Sequence, residues 1–373
     1  MKYKILFIIA FSVISNSSLF AQILKTISKF DSLSNLTYEM SIIEKDPFSD
    51  KLYKDTLKAY FDISNSKELF KVEGKQTLEV YDGGKLIQMD LNNLTYRIHS
   101  EIDVSTFRYK SLPYIISTLK KDLNENVPVI THNDSTINGK LYFNIKIIGL
   151  DTIKKNKRVY RFVKVLIDKE SYLPIWYRNE QQGFIDGTDM FVNTYSEIHF
   201  YDYRINKESL NDLSSYIIPS NFTIEKLKDR KPLLIKGSKA PELNLKEING
   251  EPFSLNRQKG KVILLNFTSI SCPHSIESVN MLNNLYSEYT KRKFSIITIN
   301  PFDDKESVEK FNKKLNIKYP VFLNIGVANT DNYNVYGYPT FYLIDKNGNI
   351  IKGFSGYNKS LEYDLKKLIK NLY

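Results

Sequence analysis

The stretch KVILLNFTSISCPHSIESVNML, Lys261 to Leu282, decides the reading of this chain. Val262 to Phe267 is an apolar run broken only by Asn266, which predicts a buried strand. Thr268 to Ser271 reads as a turn, and a helix starts at Cys272. A thiol at a helix N-terminus faces unpaired backbone N–H groups and the positive end of the helix dipole, and both favour the thiolate. His274, two residues on, adds a further positive group. Pro273 suits the first helical turn, where its missing N–H has no partner to lose.

Working outward, the next segments alternate between strand and helix. A strand is expected over Phe294 to Ile299, a helix over Lys305 to Leu315, and a short strand at Val321-Phe322. YNVYGYPTFYLIDKNGNIIKGFSG (Tyr333 to Gly356) then supplies two more strands, and Ser360 to Leu372 carries apolar residues at helical spacing. In this order the segments resemble the thioredoxin fold. NFTSISCPHS (Asn266 to Ser275) is similar to the NFWATWCGPC-type stretch of the TlpA/ResA-like extracytoplasmic thiol–disulfide oxidoreductases, and its Cys-Pro-His resembles the DsbA variant of the motif. The resemblance implies a cis-proline at Pro339 opposite the thiol, with the backbone of Tyr338 free to bond a substrate strand. It makes Cys272, His274, Ser275 and Pro339 the catalytic candidates, and Pro273, Tyr338 and Thr340 the substrate-binding ones.

The chain also departs from that family. Ser275 stands where the family has its second cysteine, and Cys272 is the single cysteine of the sequence, so no disulfide can form within it. Ser271 replaces the usual tryptophan. The glutamate of the ResA-like group aligns with Ser278, and Glu277 lies one place away, a rotation of about 100° on a helix. Asn266 occupies the position at which cytosolic thioredoxins keep a buried acid.

The length of 373 residues exceeds a usual single core and predicts two domains. The 26 Tyr and 22 Phe against one Trp point to β-rich structure. The net charge of +11 is spread along the chain, without the dense basic stripe or module that nucleic-acid binding requires. Residues 1–21 have a basic head, an apolar run over Ile5 to Ile14 and a small-residue end, as in a cleaved secretory signal with the cut after Ala21. The expected location is periplasmic or otherwise extracytoplasmic, with no need of membrane association. An unpaired cysteine is unusual in such a protein.

Residues 22–225 read as a mostly antiparallel β domain. Short strands recur from Leu36 to Tyr203 with turn signals between them, including Asp82-Gly83-Gly84 and Asn138-Gly139, and helices are expected over Ile23 to Leu33 and Ser111 to Leu123. The order of helix, strands, helix, strands resembles the curved half-barrel of LolA-like lipoprotein carriers. That resemblance implies a hydrophobic or lipid ligand, and a filled aromatic core is the competing reading. His99, His132 and His199 fall singly, with no metal-ligand spacing, and neither metal nor cofactor is expected. The polar, basic segment after Asn221 contains the expected linker, residues 226–236, and residues 237–373 form the thioredoxin-like domain.

With one thiolate the expected function is monothiol exchange on disulfides of exported proteins or with small thiols, by reduction or isomerisation. Two alternatives stand beside it: a non-enzymatic peptide- or lipid-binding protein with a vestigial site, and a cysteine peroxidase. The peroxidase families place their cysteine in a P-x-x-x-[TS]-x-x-C context, which FTSISC does not reproduce.

Overall fold

The structure is a computed structural model that describes residues 17–48, 50–62, 69–100, 110–125, 127–186, 188–206, 211–225, 230–243, 245–248, 250–324 and 328–373. Of the expected signal segment, residues 1–16 lie outside the described residues, and helix α1 (Ser17–Asp31) runs through the remainder. Contacts divide the chain into two units. The first is Met1–Lys45, Leu52–Gln182 and Thr194–Lys226; the second is Asp46–Lys51, Gly183–Asn193 and Leu227–Tyr373.

The first unit is built on an open twelve-stranded sheet. Strands β1 (Asn35–Lys45), β2 (Leu52–Asp62), β3 (Leu69–Glu73), β4 (Thr77–Tyr81), β5 (Lys85–Asp90) and β6 (Thr95–Ser100) run as an antiparallel meander. A second series comprises β7 (Val129–Ile137), β8 (Lys140–Lys154), β9 (Lys157–Asp168), β10 (Pro174–Phe184) and β11 (Phe191–Ile205), and β11 pairs with β1 to join the two. The short β12 (Thr223–Ile224) lies parallel to β6 at one edge and β7 forms the other, so no barrel closes. Turn chemistry sets the register. Asn138 and Gly139 both take positive φ, 50° and 77°, the conformation a two-residue hairpin turn demands.

Strand β7 is not evident in the sequence, because THNDST carries no apolar alternation. It forms by pairing with β8, and its register slips at His132 to Ser135. Val163, Val165 and Ile167 of β9 alternate into the main core of this unit, where Ile23 and Phe30 of α1 meet Leu112, Ile115, Ile116 and Leu119 of α2 (Leu112–Asn124). Pro113 is accommodated in the first turn of α2. Ser111 caps the helix by accepting from the Tyr114 N–H at 3.4 Å. The fully buried Tyr38 of β1 accepts from the Leu112 N–H at 2.9 Å.

The second unit holds a seven-stranded sheet in the order β14 (Pro252–Phe253), β13 (Leu245–Glu247), β17 (Val321–Asn324), β16 (Phe294–Asn300), β15 (Val262–Phe267), β18 (Thr340–Ile344), β19 (Ile350–Ser355). β15, β16 and β17 are parallel, β18 runs antiparallel to β15, and β19, antiparallel to β18, returns to the direction of the first three. The apolar run of β15 splits between two cores. Val262 and Leu264 face the helices α3 (Pro273–Tyr289), α4 (Lys305–Lys314) and α6 (Leu361–Lys370). Ile263, Leu265 and Phe267 face Tyr333, Tyr342 and Ile344 on the other side. A strand buried on both faces needs no polar alternation. The one-turn helix α5 (Ala328–Asn332) has no signal in the sequence.

The Asp46–Lys51 segment belongs to this unit through Phe48, packed edge-on against Phe311, and Lys51, paired with Asp304 at 2.6 Å. The polar stretch before Pro241 is pinned along the sheet. The N–H of Lys231 bonds the Tyr336 hydroxyl, that of Leu234 the Tyr342 hydroxyl, and that of Gly237 the Ile350 carbonyl.

Tyr38→Phe keeps the ring contacts with Phe61 and Phe200 but leaves the Leu112 N–H without its acceptor. The expected loss is about 1–3 kcal/mol of unfolding free energy, measured by urea denaturation.

Candidate active site

Register places the site. β18 pairs antiparallel with β15, with Thr340 opposite Phe267, so the residues before Thr340 arrive beside the turn that leaves β15. That turn is tight. Thr268 N–H bonds Ile299 O, Cys272 N–H bonds Ser269 O at 3.2 Å, and the Cys272 carbonyl accepts from Ile276 as the first bond of α3. Cys272 is therefore the N-cap residue and Pro273 the first residue of the helix.

Cys272 is half-buried, and Ser271, Pro273 and His274 around it are exposed. Its Sγ donates to the Tyr338 carbonyl at 3.1 Å. The Tyr338–Pro339 peptide bond is cis. Thr340 is buried and its hydroxyl bonds the Gly337 carbonyl at 2.7 Å, closing the loop on itself. Thiol, Tyr338, Pro339 and Thr340 thus come together at one end of the sheet.

His274 and Ser275 point elsewhere. Exposed His274 lies 3.2 Å from Glu277 through Nδ1, a partner one helical turn on. Ser275 is buried, and its hydroxyl accepts from the Ser269 N–H at 3.5 Å. Ser278 donates to the Ser275 carbonyl at 2.8 Å. Asn266 is buried, with its amide donating to Thr298, and its carbonyl oxygen has no partner among the described residues. Near the other single histidines, His99 bonds Gln88 and His199 bonds Glu197. Among the described residues no group of three or more His, Cys, Asp or Glu could hold a metal ion.

Two residues of the site escaped the reading of the sequence. Asp303 follows β16, and its carboxylate accepts from the Ile270 N–H at 3.0 Å and, more weakly, from the Ser269 hydroxyl at 3.5 Å. It holds the turn that carries the thiol. Burial pushes the Asp303 carboxyl above the usual carboxylate range. The bonds from Ile270 and Ser269 oppose that shift, and the Asp304 and Asp46 charges add to it. Phe302 beside it stacks edge-on against Tyr338. The Tyr338 phenol is pushed up to about 12, first by burial and then by the Asp303 charge. Asp304 behaves oppositely. Bonded to Lys51 and capping α4 through Ser307, it is held down to about 2. The available signal was position, since ligands of open α/β sheets gather at the carboxyl ends of parallel strands.

The arrangement presents a half-buried thiol beside a backbone carbonyl, next to a cis-proline loop. Among known proteins, residues 236–352 match the AhpC/TSA family. The thiol-disulfide oxidoreductase ResA of Geobacillus kaustophilus is 32% identical over 141 residues, 38% of this chain and 78% of that protein. The chain belongs to the TlpA/ResA-like family. ResA of Bacillus subtilis is 30% identical over the same length, 38% of this chain and 79% of the relative. A solved thiol-disulfide oxidoreductase from Bacteroides fragilis is 26% identical, covering 35% of this chain and 99% of its own, with a TM-score of 0.32. The TlpA/ResA-like likeness lies in the C-terminal part, which is thiol–disulfide-oxidoreductase-like. Among the described residues no helix is long and apolar enough to cross a membrane.

Asp303 also generates a stability prediction. Its raised carboxyl favours the folded state below the ordinary carboxylate range, and that contribution is lost as pH rises through the folded-state value. Asp303→Asn keeps an acceptor for Ile270 without the charge. It is expected to be more stable than the wild type at pH 7 and level with it near pH 3, in urea titrations at both. Asp303→Ala, lacking the acceptor, should be less stable at both.

Proposed function

We propose that the C-terminal part of this chain is a monothiol exchange unit that acts on disulfides of exported proteins. The observation that carries the reading is the half-buried Cys272 Sγ, 3.1 Å from the Tyr338 carbonyl at a helix N-terminus, in a sequence with one cysteine. The family likeness supports the same chemistry, and the signal-like pattern of residues 1–21 supports an extracytoplasmic setting.

The Cys272 thiol first gives its proton to solvent. The thiolate then attacks one sulfur of a substrate disulfide in line with the S–S bond. That bond breaks, a Cys272–substrate disulfide forms, and the second substrate sulfur leaves as a thiolate that takes up a proton. Ser275 supplies no resolving sulfur, so release needs another thiol. If a different cysteine of the substrate attacks, the disulfide is moved with no net electron transfer. If two small thiols act in turn, they become one disulfide while the substrate disulfide becomes two thiols. Pro339 and Tyr338 position the substrate strand next to the sulfur in either course. Pro273 flanks that strand, buried Thr340 braces the loop from within through the Gly337 carbonyl, and exposed His274 stands at the helix terminus beside Glu277.

The test is covalent capture. Wild-type protein purified from the secreted fraction without reductant should carry disulfide-linked proteins that dithiothreitol releases, seen on non-reducing gels and named by mass spectrometry. Cys272→Ser should carry none. A wild-type protein free of adducts, and inert toward a model protein disulfide, would defeat the reading and favour a non-enzymatic binding role.

A further inference from the structure

The loop after β16 presents one aromatic ring to solvent beside Tyr338. Phe302 is 66% exposed. Its ring stands edge-to-face on Tyr338, with centroids 6.3 Å apart and planes at 75°. Tyr338 is also the residue whose carbonyl faces Cys272 Sγ. Tyr338 therefore meets the exposed ring through its side chain and the thiol through its backbone.

The backbone carrying Phe302 is held on both sides. Pro301 before it is buried. Asp303 after it is tied to Ile270 N–H at 3.0 Å, and Asp304 caps α4 through the Ser307 N–H and hydroxyl at 3.1 and 2.7 Å. A phenylalanine in solvent forgoes the stabilisation that burial of its ring supplies. A rigid backbone also spares most of the ordering cost when something covers the ring. Fixed, aromatic and exposed is the description of a binding anchor.

We propose that Phe302, backed by the Tyr338 ring, is a specificity subsite for an apolar side chain adjacent to the reacting cysteine of a polypeptide disulfide. The inference rests on the exchange reading of Cys272 and adds the class of substrate. An apolar residue next to the substrate cysteine covers the ring as the two sulfurs meet. A small anionic disulfide such as oxidised glutathione covers none of it and meets the Asp303 carboxylate. The chemistry is the exchange step already written: the substrate S–S bond breaks, the Cys272–substrate bond forms, and one substrate thiolate leaves. The subsite accelerates it by binding alone.

The experiment uses the full chain and two synthetic peptide disulfides that differ only in the residue after the cysteine, Leu in one and Ser in the other. Rates of mixed-disulfide formation are followed by mass spectrometry. Each is divided by the same protein's rate with iodoacetamide, so that a change in the thiol itself cancels. The wild type should favour the Leu peptide about tenfold, the worth of partial burial of one such side chain, and should react slowest with oxidised glutathione. Phe302→Ser should bring the Leu peptide down to the Ser peptide. Equal rates in the wild type, or a preference untouched by Phe302→Ser, would overturn the subsite. If neither peptide formed a mixed disulfide, the exchange reading would fall by itself. Fluorescence anisotropy of the same peptides, with serine for cysteine, on Cys272→Ser protein would then decide the subsite. A Leu preference erased by Phe302→Ser supports it, and no preference overturns it.

Discussion

The antiparallel pairing of β18 with β15 is the constraint on which the site depends. It sets Thr340 opposite Phe267 and so delivers the Tyr338 carbonyl to within 3.1 Å of Cys272 Sγ. Because side chains alternate along a strand, a slip of one residue would exchange the two faces of β18 as well as move the loop. Phe341 and Leu343 would then leave the core they share with Val262 and Leu264, and Tyr342 would leave the opposite one. The core on both sides of the sheet therefore enforces the geometry of the thiol. Packing and chemistry are specified by the same register.

Around that register the site carries features that packing alone would not select. A carboxylate is partly buried at Asp303, a phenylalanine stands in solvent at Phe302, and the carbonyl of buried Asn266 is unpartnered among the described residues. Departures of this kind from local stability cluster where function imposes them. By contrast Asp304, one residue from Asp303, is paired with Lys51 and caps a helix, as a structural acid does. Two adjacent carboxylates thus differ in role because one points toward the turn that holds the thiol and the other toward a helix terminus.

The first unit shows where the aromatic and basic residues of this composition go. One set of aromatics fills the core around Tyr38, which stacks on Phe61 and meets Phe200 edge-on. Another set lies on the sheet under basic side chains. Lys146 sits 3.7 Å above the Phe162 ring and Arg178 3.8 Å above Tyr195, while Arg178 also pairs with Glu180 and Glu197. Such stacking covers ring surface and spreads positive charge over the sheet without gathering it. The β6 edge is shielded by short β12 and by the Arg97–Glu225 ion pair, devices that discourage strand addition from another chain.

What the sequence by itself determined was local. A strand, a turn, one cysteine at a helix start and a proline before a later strand lie within short stretches whose chemistry needs no distant partner, so the thioredoxin-like part and the place of its thiol at a helix start were legible. Tertiary structure alone decided which neighbours the thiol has. Ser275 looks from its spacing like a partner for the thiol, but the phase of α3 turns its hydroxyl to the Ser269 amide. Asp303 and Phe302 lie far from Cys272 along the chain, and they reach the turn before it and Tyr338 only because β16 pairs in parallel with β15. The polar stretch around Leu234, which reads as a linker, is bound along the sheet because Tyr336 and Tyr342 offer acceptors to its backbone. Residue type and spacing specify which groups can react or fold, but the direction of a side chain follows from helix phase and strand register, and both are set by burial against the rest of the chain.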